Sequence, residues 1–235
     1  MANNYASAET TVVLLAAGHG KRMLPLTKST PKPLLKVGDE ALIEHHLHRL
    51  RSMGFRDVVI NLAYLGEQIR QHLDNGAKYG LNIRYSDESA TGALETAGGL
   101  QHALPLISSD PFLVVNADIW TDYPFTQLLG HLDRPARLVM GPNPSHNPDG
   151  DFSYDPDSGM LFVANTSKQS HTFCGIALYH KSLFVSQDSG VRPLAPMFRE
   201  LIQQEQLEAV VYEGEWQDIG TPERLASLNQ RYKAV

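Results

Sequence analysis

The sequence predicts an α/β protein built on a doubly wound, mainly parallel sheet. Apolar runs of strand length recur at 11–17, 57–63, 112–118 and 137–141. They are nearly continuous rather than alternating, as expected of strands buried on both faces. Stretches of helical period separate the first of them, which is the signature of strand–helix–strand units. With 235 residues, 42% of them hydrophobic and 20% charged, the chain has enough apolar material for a full core.

The elements follow in order. Residues 1–10, "MANNYASAET", read as a flexible polar arm, with neither the basic start nor the apolar stretch of a signal peptide. Residues 11–235 read as a single domain. After the first strand and a glycine-rich turn, 42–54 place Leu42, Ile43, Leu47, Leu50 and Met53 mostly along one stripe and end at Gly54. Residues 65–76 do likewise. From 142 the chain becomes dense in Pro, Asn, Asp and Gly, and predicts a small insertion with antiparallel strands at 151–155 and 160–163. "FCGIALYH" (173–180) returns to the sheet, 192–206 is helical, and 208–214 is a further strand. The last helix opens at Thr221-Pro222, which suit N-cap and first-turn positions.

Composition excludes several classes of function. The net charge is −6 and no long basic run exists, which argues against a nucleic-acid partner. No apolar stretch approaches the roughly 20 residues of a membrane span. The single cysteine, Cys174, permits no internal disulfide and suits a reducing cytoplasm. The oligomeric state, monomer or homodimer, is left open.

The chemistry gathers at "LAAGHGKRMLPLTKSTPKPLLKVG" (15–38). Glycines let backbone N–H groups approach phosphate oxygens, and basic residues complete the cradle. Two known glycine templates fail. The dinucleotide pattern needs glycine at Met23, and the P-loop pattern needs glycine at Leu15 and Ser or Thr at Arg22. A bare G-x-G is as often a plain turn. Pro31 and Pro33, however, fix the backbone on both sides of Lys32, which a solvated lysine does not require.

This segment resembles the signature of sugar-1-phosphate nucleotidylyltransferases, L-A-A-G-x-G-x-R-[ML]-x-P-L-T…P-K-P-[LM], from Leu15 to Leu34 without a gap. The resemblance implies a Rossmann-like, GT-A-like nucleotidyltransferase fold. It implies a loop of Leu15, Ala16, Ala17, Gly18 and Gly20 around a nucleoside triphosphate, with Arg22 and Lys32 on its phosphates and, with Asp118, in catalysis. Asp118 and Asp218 match the family's [GA]-D and W-x-D-[IV]-G-T motifs and are thereby implied as ligands of Mg²⁺. Taken alone, each reads as an ordinary cap or loop aspartate. Charge supports a metal: the substrates together bring roughly six negative charges, and Mg²⁺ accepts one or two carboxylates plus phosphate oxygens. Where the family usually has glycine before the first aspartate stands Ala117, whose methyl is expected to crowd the approach slightly.

Within the family the chain looks most like bacterial N-acetylmuramate-1-phosphate uridylyltransferases. "NLAYLG" (61–66), "LETAGG" (94–99), Asn116 to Asp122, "NPSH…GDF" (143–152) and "FCGI" (173–176) match them. By that resemblance Asn61, Ala63, Glu95, Thr96, Gly98 and Asn116 bind nucleotide. Glu95, Asn116, Asp151, Phe152 and Gly175 face the sugar, with Phe173 shaping the pocket. The implied partners are UTP and a sugar 1-phosphate. Bland readings stand beside these: Asn61 as a turn residue, Glu95 as a helix N-terminal charge, Asp151 as a solvated acid. His45, His46 and His48 lack zinc spacing and read as packing or solvent residues. The alternatives are mannose-1-phosphate guanylyltransferase, glucose-1-phosphate nucleotidylyltransferase, or a regulator that binds nucleotide sugars without turnover.

Overall fold

The computed structural model describes residues 6–90, 92, 94–163, 169–185 and 190–233. Among these, nine strands form one sheet. In chain order they are β1 (Val12–Leu15), β2 (Asp57–Leu62), β3 (Asn82–Asp87), β4 (Phe112–Asn116), β5 (Ala136–Gly141), β6 (Phe152–Asp155), β7 (Met160–Val163), β8 (Ser170–Tyr179) and β9 (Leu207–Val211). Across the sheet the order is β3-β2-β1-β4-β8-β5-β9-β7-β6. β3, β2, β1 and β4 are mutually parallel, and so are β5 and β9. β8 runs antiparallel to β4 and β5, and β7 antiparallel to β9 and β6. Only β8 and β7 oppose the common direction, so the sheet is mainly parallel with an antiparallel insertion at one edge.

Helices cover both faces, because side chains alternate across each strand. Val12 and Leu14 pack with Ile43, Leu47 and Leu50 of α1 (Leu42–Ser52) and with Ile69 and Leu73 of α2 (Gly66–Leu73). Val13 faces the other way, in a layer with Ala97 and Leu100 of α3 (Glu95–Ala103) and Phe198 and Leu201 of α4 (Leu194–Gln203). A third cluster joins Met23 of the glycine loop, Leu42 of α1, Ile219, and Leu225 and Leu228 of α5 (Pro222–Lys233). It fastens the loop to the C-terminal part of the chain. α1 stops at Gly54, whose φ of 90° allows Gly54 N–H to reach Arg51 O and Phe55 N–H to reach Leu50 O. α5 begins as predicted, with Thr221 Oγ1 accepting Arg224 N–H at 3.4 Å.

Some boundaries differ from the sequence reading. β3 was not expected, because Asn82, Arg84, Ser86 and Asp87 leave it no apolar run, as suits a strand at the sheet edge. Of the arm expected at 1–10, residues 1–5 lie outside the described residues. Ser7–Glu9 are not loose but form a 3₁₀ turn, and Thr10 behind it is buried, its hydroxyl donating to Ala6 O at 3.0 Å. The strand expected to end on Asp118 ends at Asn116, and a ribbon of Ile119–Thr121 paired with Trp216–Asp218 follows.

Candidate active site

The site lies at the carboxyl ends of the parallel strands, where open α/β sheets bind ligands. Leu15, the last residue of β1, is in register with Asn61 of β2 on one side and Asn116 of β4 on the other. Asn61 is buried, and its amide is oriented by two bonds to residues distant in sequence. Its Oδ1 accepts Ala16 N–H at 2.7 Å, and its Nδ2 donates to Glu88 Oε1 at 2.8 Å. Glu88 Oε2 in turn accepts Leu94 N–H at 3.0 Å. Asn61 is thus neither a plain turn residue nor a free ligand. It holds the first amide of the glycine loop, and a buried carboxylate holds it.

The loop then reverses over itself. Gly20 has φ 60°, and a Cβ there would stand 3.0 Å from Thr27 Cγ2 and 3.3 Å from Lys32 Cβ. Thr27 Oγ1 closes the reversal by donating to Gly20 O at 2.8 Å. Tyr64, from the β2–α2 connection, stacks on His19 and donates to Thr27 O at 3.0 Å. Lys32 heads the 3₁₀ turn Lys32–Leu34, with Pro31 extended before it. It is 7% exposed, and its Nζ reaches Asp118 Oδ2 at 2.6 Å. Arg22 is exposed on the loop and forms no ion pair among the described residues.

The ribbon places the two aspartates at neighbouring positions along its two strands. Asp218 pairs across it with Ile119, and Ile219 N–H donates to Asp118 O at 2.8 Å. Asp218 Oδ2 accepts a short bond from Arg224 Nη1. His146 Nε2 lies 3.0 Å from Asp218 Oδ1, yet that buried oxygen has no hydrogen-bond partner of good geometry. Gly220 is what lets these charges meet: a Cβ on it would lie 2.7 Å from Asp218 Oδ2, 2.8 Å from Arg224 Nη1 and 3.3 Å from Arg22 Nη1. Ala117 does not crowd the site as expected. It is fully buried in the core below the sheet face, so its methyl points away. Behind the ribbon, His46 Nε2 donates to Ile119 O at 2.8 Å. Burial drives its pKa down to about 4, against the opposing pull of that bond.

Two cavities adjoin. The first, about 430 Å³, is lined by Leu15, Ala16, Ala17, Gly18, Gly20, Arg22, Lys32, Asn61, Glu95, Thr96, Asn116 and Asp118, all anticipated from sequence. It also takes in His19, Lys21, Glu88 and Gly220, which were not. The second, about 670 Å³, is walled by Gly150, Asp151 and Phe152 of the insertion, by Phe173 of β8, and by Leu194, Phe198 and Arg199 of α4. Glu95, Thr96 and Asn116 line both. Glu95 opens α3 with φ 60°. That conformation is uncommon outside glycine and concentrates at binding sites.

Other expected site residues lie outside both linings. Gly98 instead packs against a neighbouring strand of backbone: a Cβ there would meet Gly190 O at 2.3 Å, and its N–H donates to Arg192 O. Gly175, at φ 73°, makes room for Asn116, whose Nδ2 would be 2.6 Å from a Cβ. Ala63 is a connection residue accepting Gly66 N–H, and Asp218 stands behind Gly220. Ala93, at the head of the "ALETAGG" segment, lies outside the described residues. Asp151 lines the second cavity, but it is not merely solvated: Oδ2 accepts Phe173 N–H at 2.8 Å and Oδ1 accepts the Asn147 amide at 3.0 Å. Arg199 is the cation that sequence reading missed. On an amphipathic helix it looks like a solvent-facing charge, yet among the described residues it is the one cationic side chain in the second lining.

Comparison with known proteins agrees with this geometry. The model of the nucleotidyl transferase family matches residues 11–150. The chain is 46% identical over 221 residues to the N-acetylmuramate alpha-1-phosphate uridylyltransferase of Neisseria meningitidis serogroup B, covering 91% of this chain and 94% of that protein. It is 32% identical to the mannose-1-phosphate guanylyltransferase catalytic subunit beta of Drosophila melanogaster, covering 91% of this chain but 60% of that protein. The crystal structure of HddC from Yersinia pseudotuberculosis complexed with GMP-PN superposes with a TM-score of 0.77 at 17% identity, over 95% of this chain and 99% of that one, and shares the fold. The chain belongs to the nucleotidyl transferase family, among its sugar-1-phosphate nucleotidylyltransferases.

Proposed function

We propose that the protein transfers UMP from UTP to N-acetylmuramate 1-phosphate, releasing pyrophosphate, as a cytoplasmic step of peptidoglycan recycling. The observation that carries this reading is the 46% identity, nearly end to end, with a protein of that activity. The paired cavities meeting at Glu95, Thr96 and Asn116 suit two substrates reacting at their junction. The mannose reading is weaker, since the guanylyltransferase relative is less similar and extends well beyond this chain.

The glycine loop and the buried Lys32 take the triphosphate, and Arg22 faces the departing pyrophosphate. The acceptor's phosphate oxygen attacks the α-phosphorus in line, the α–β bridging bond breaks, and pyrophosphate leaves. No side chain acts as nucleophile. The protein's part is positioning and charge neutralisation. Asp118 and Asp218 fit a divalent cation, because the ribbon holds their backbones at neighbouring register positions and Asp218 Oδ1 is a buried oxygen without a hydrogen-bond partner. When bound, Mg²⁺ supplies the positive charge that Arg22 and Lys32 alone do not.

N-acetylmuramate carries a carboxylate on its lactyl ether. Arg199, cationic and without an ion pair among the described residues, supplies a donor on the sugar-side wall. Pyrophosphate release across a matrix of nucleotides and sugar 1-phosphates tests the whole reading. UTP with N-acetylmuramate 1-phosphate should be fastest. Faster turnover of GTP with mannose 1-phosphate would overturn the sugar and base while leaving nucleotidyl transfer intact.

A further inference from the structure

Asp218 is held from two directions, and the two contacts differ in kind. Arg224 is anchored on Oδ2. Its own N–H is capped by Thr221, its carbonyl accepts Gln217 Nε2 at 3.4 Å, and its guanidinium bonds the carboxylate across the space left by Gly220. His146 stands 3.0 Å from Oδ1 without making a good hydrogen bond. It sits at the tip of the insertion loop, whose other amides hold the loop itself. Asn143 Nδ2 donates to Ser170 Oγ at 3.0 Å and its Oδ1 accepts Thr172 Oγ1 at 2.9 Å, while Asn147 bonds Asp151 and Thr172. The loop therefore presents His146 to Asp218.

Resting on the reading that Asp118 and Asp218 take the divalent cation, the geometry points to Arg224 as the residue that positions Asp218, and to His146 as an exchangeable cover on Oδ1. The guanidinium fixes Oδ2, so Oδ1 keeps its lone pairs for the metal. Carboxylate ligands are commonly oriented by such a bond to the non-ligating oxygen, and its loss weakens metal binding by roughly 10–100-fold. The imidazole occupies the same approach to Oδ1 that the cation uses, and competes with it. Removing the two residues thus has opposite consequences.

The test is a Mn²⁺ titration followed by electron paramagnetic resonance, on the full chain with the non-hydrolysable analogue α,β-imido-UTP. Arg224→Ala should bind Mn²⁺ about tenfold or more weakly. Arg224→Lys, which keeps the charge and the helix, should recover part of that loss. His146→Ala should bind Mn²⁺ at least as tightly as the wild type. Unchanged affinity in a folded Arg224→Ala variant overturns the positioning role. A loss in His146→Ala comparable to that of Arg224→Ala overturns the cover. Asp118→Asn is the control for the metal reading: if the wild type binds Mn²⁺ no better than Asp118→Asn, the metal assignment itself fails, a result separate from either of the others.

Discussion

Folding stability should fall as pH drops from about 6.5 to about 4, and His46 should be a main cause. The side chain is fully buried behind the ribbon that carries Asp118 and Asp218. Its Nε2–H donates to Ile119 O, which leaves Nδ1 as a buried atom with no partner. Protonation puts a charged N–H where nothing accepts it, and burial lowers the pKa from 6.5 to about 4. Above pH 6.5 the ring is neutral folded and unfolded, and contributes no pH dependence. Between the two values the unfolded chain takes up a proton that the folded chain refuses, so stability is lost as pH falls. Below 4 both states are charged and the loss is complete. At 1.36 kcal/mol per unit the full effect is about 3 kcal/mol. For a domain of this size that is roughly 6–12 °C in Tm. Thermal melts from pH 7 to pH 4 should be run on wild type and His46→Gln, an amide able to reach Ile119 O but unable to titrate. The wild type should lose several degrees more than the variant over that interval. Parallel melting curves would show that His46 does not carry the effect.

Further tests address the site. Asp118→Asn and Asp218→Asn should each remove most turnover with the fold retained by circular dichroism; the first also strips Lys32 of its counter-charge and should lower Tm. Near-normal rates in either would refute the metal reading. Arg22→Ala should lower kcat by roughly 10²-fold, as loss of one electrostatic donor commonly does; a change confined to the KM for UTP would reduce Arg22 to a binding residue. Gly175→Ala should cost about 1–2 kcal/mol from its left-handed backbone alone. It should also raise the acceptor KM by displacing Asn116, and an unaltered KM would detach Asn116 from the sugar side. Arg199→Gln should raise the KM for N-acetylmuramate 1-phosphate while sparing UTP, and equal effects on both substrates would refute the carboxylate contact.

The parts of the site that could be read from sequence are those specified by contiguous backbone constraints. Gly20 must adopt positive φ against Thr27 and Lys32, and the prolines around Lys32 fix its turn; both show up as a local pattern. The same holds for α1 and α5, whose ends carry their own glycine and threonine signals. What escaped is what depends on distant partners. Glu88 sits in a polar stretch with no periodicity, and its duty appears only when Asn61, 27 residues earlier, is folded against it. β3 escaped because polar residues interrupt Ile83 and Tyr85, so this edge strand shows no apolar run.

Arg224 makes the same point from the opposite side. In "TPERL" it reads as an ordinary first-turn charge, and a cation at a helix N-terminus is a mildly unfavourable choice for the helix dipole. Its placement makes sense through Asp218, which meets it only because Gly220 leaves room for the chain to turn back between ribbon and helix. The local disadvantage is offset by the ion pair: the Asp218 carboxylate brings negative charge to the helix N-terminus beside Arg224. A residue that fits its helix poorly and its site well is therefore the one whose replacement should disturb metal binding more than folding.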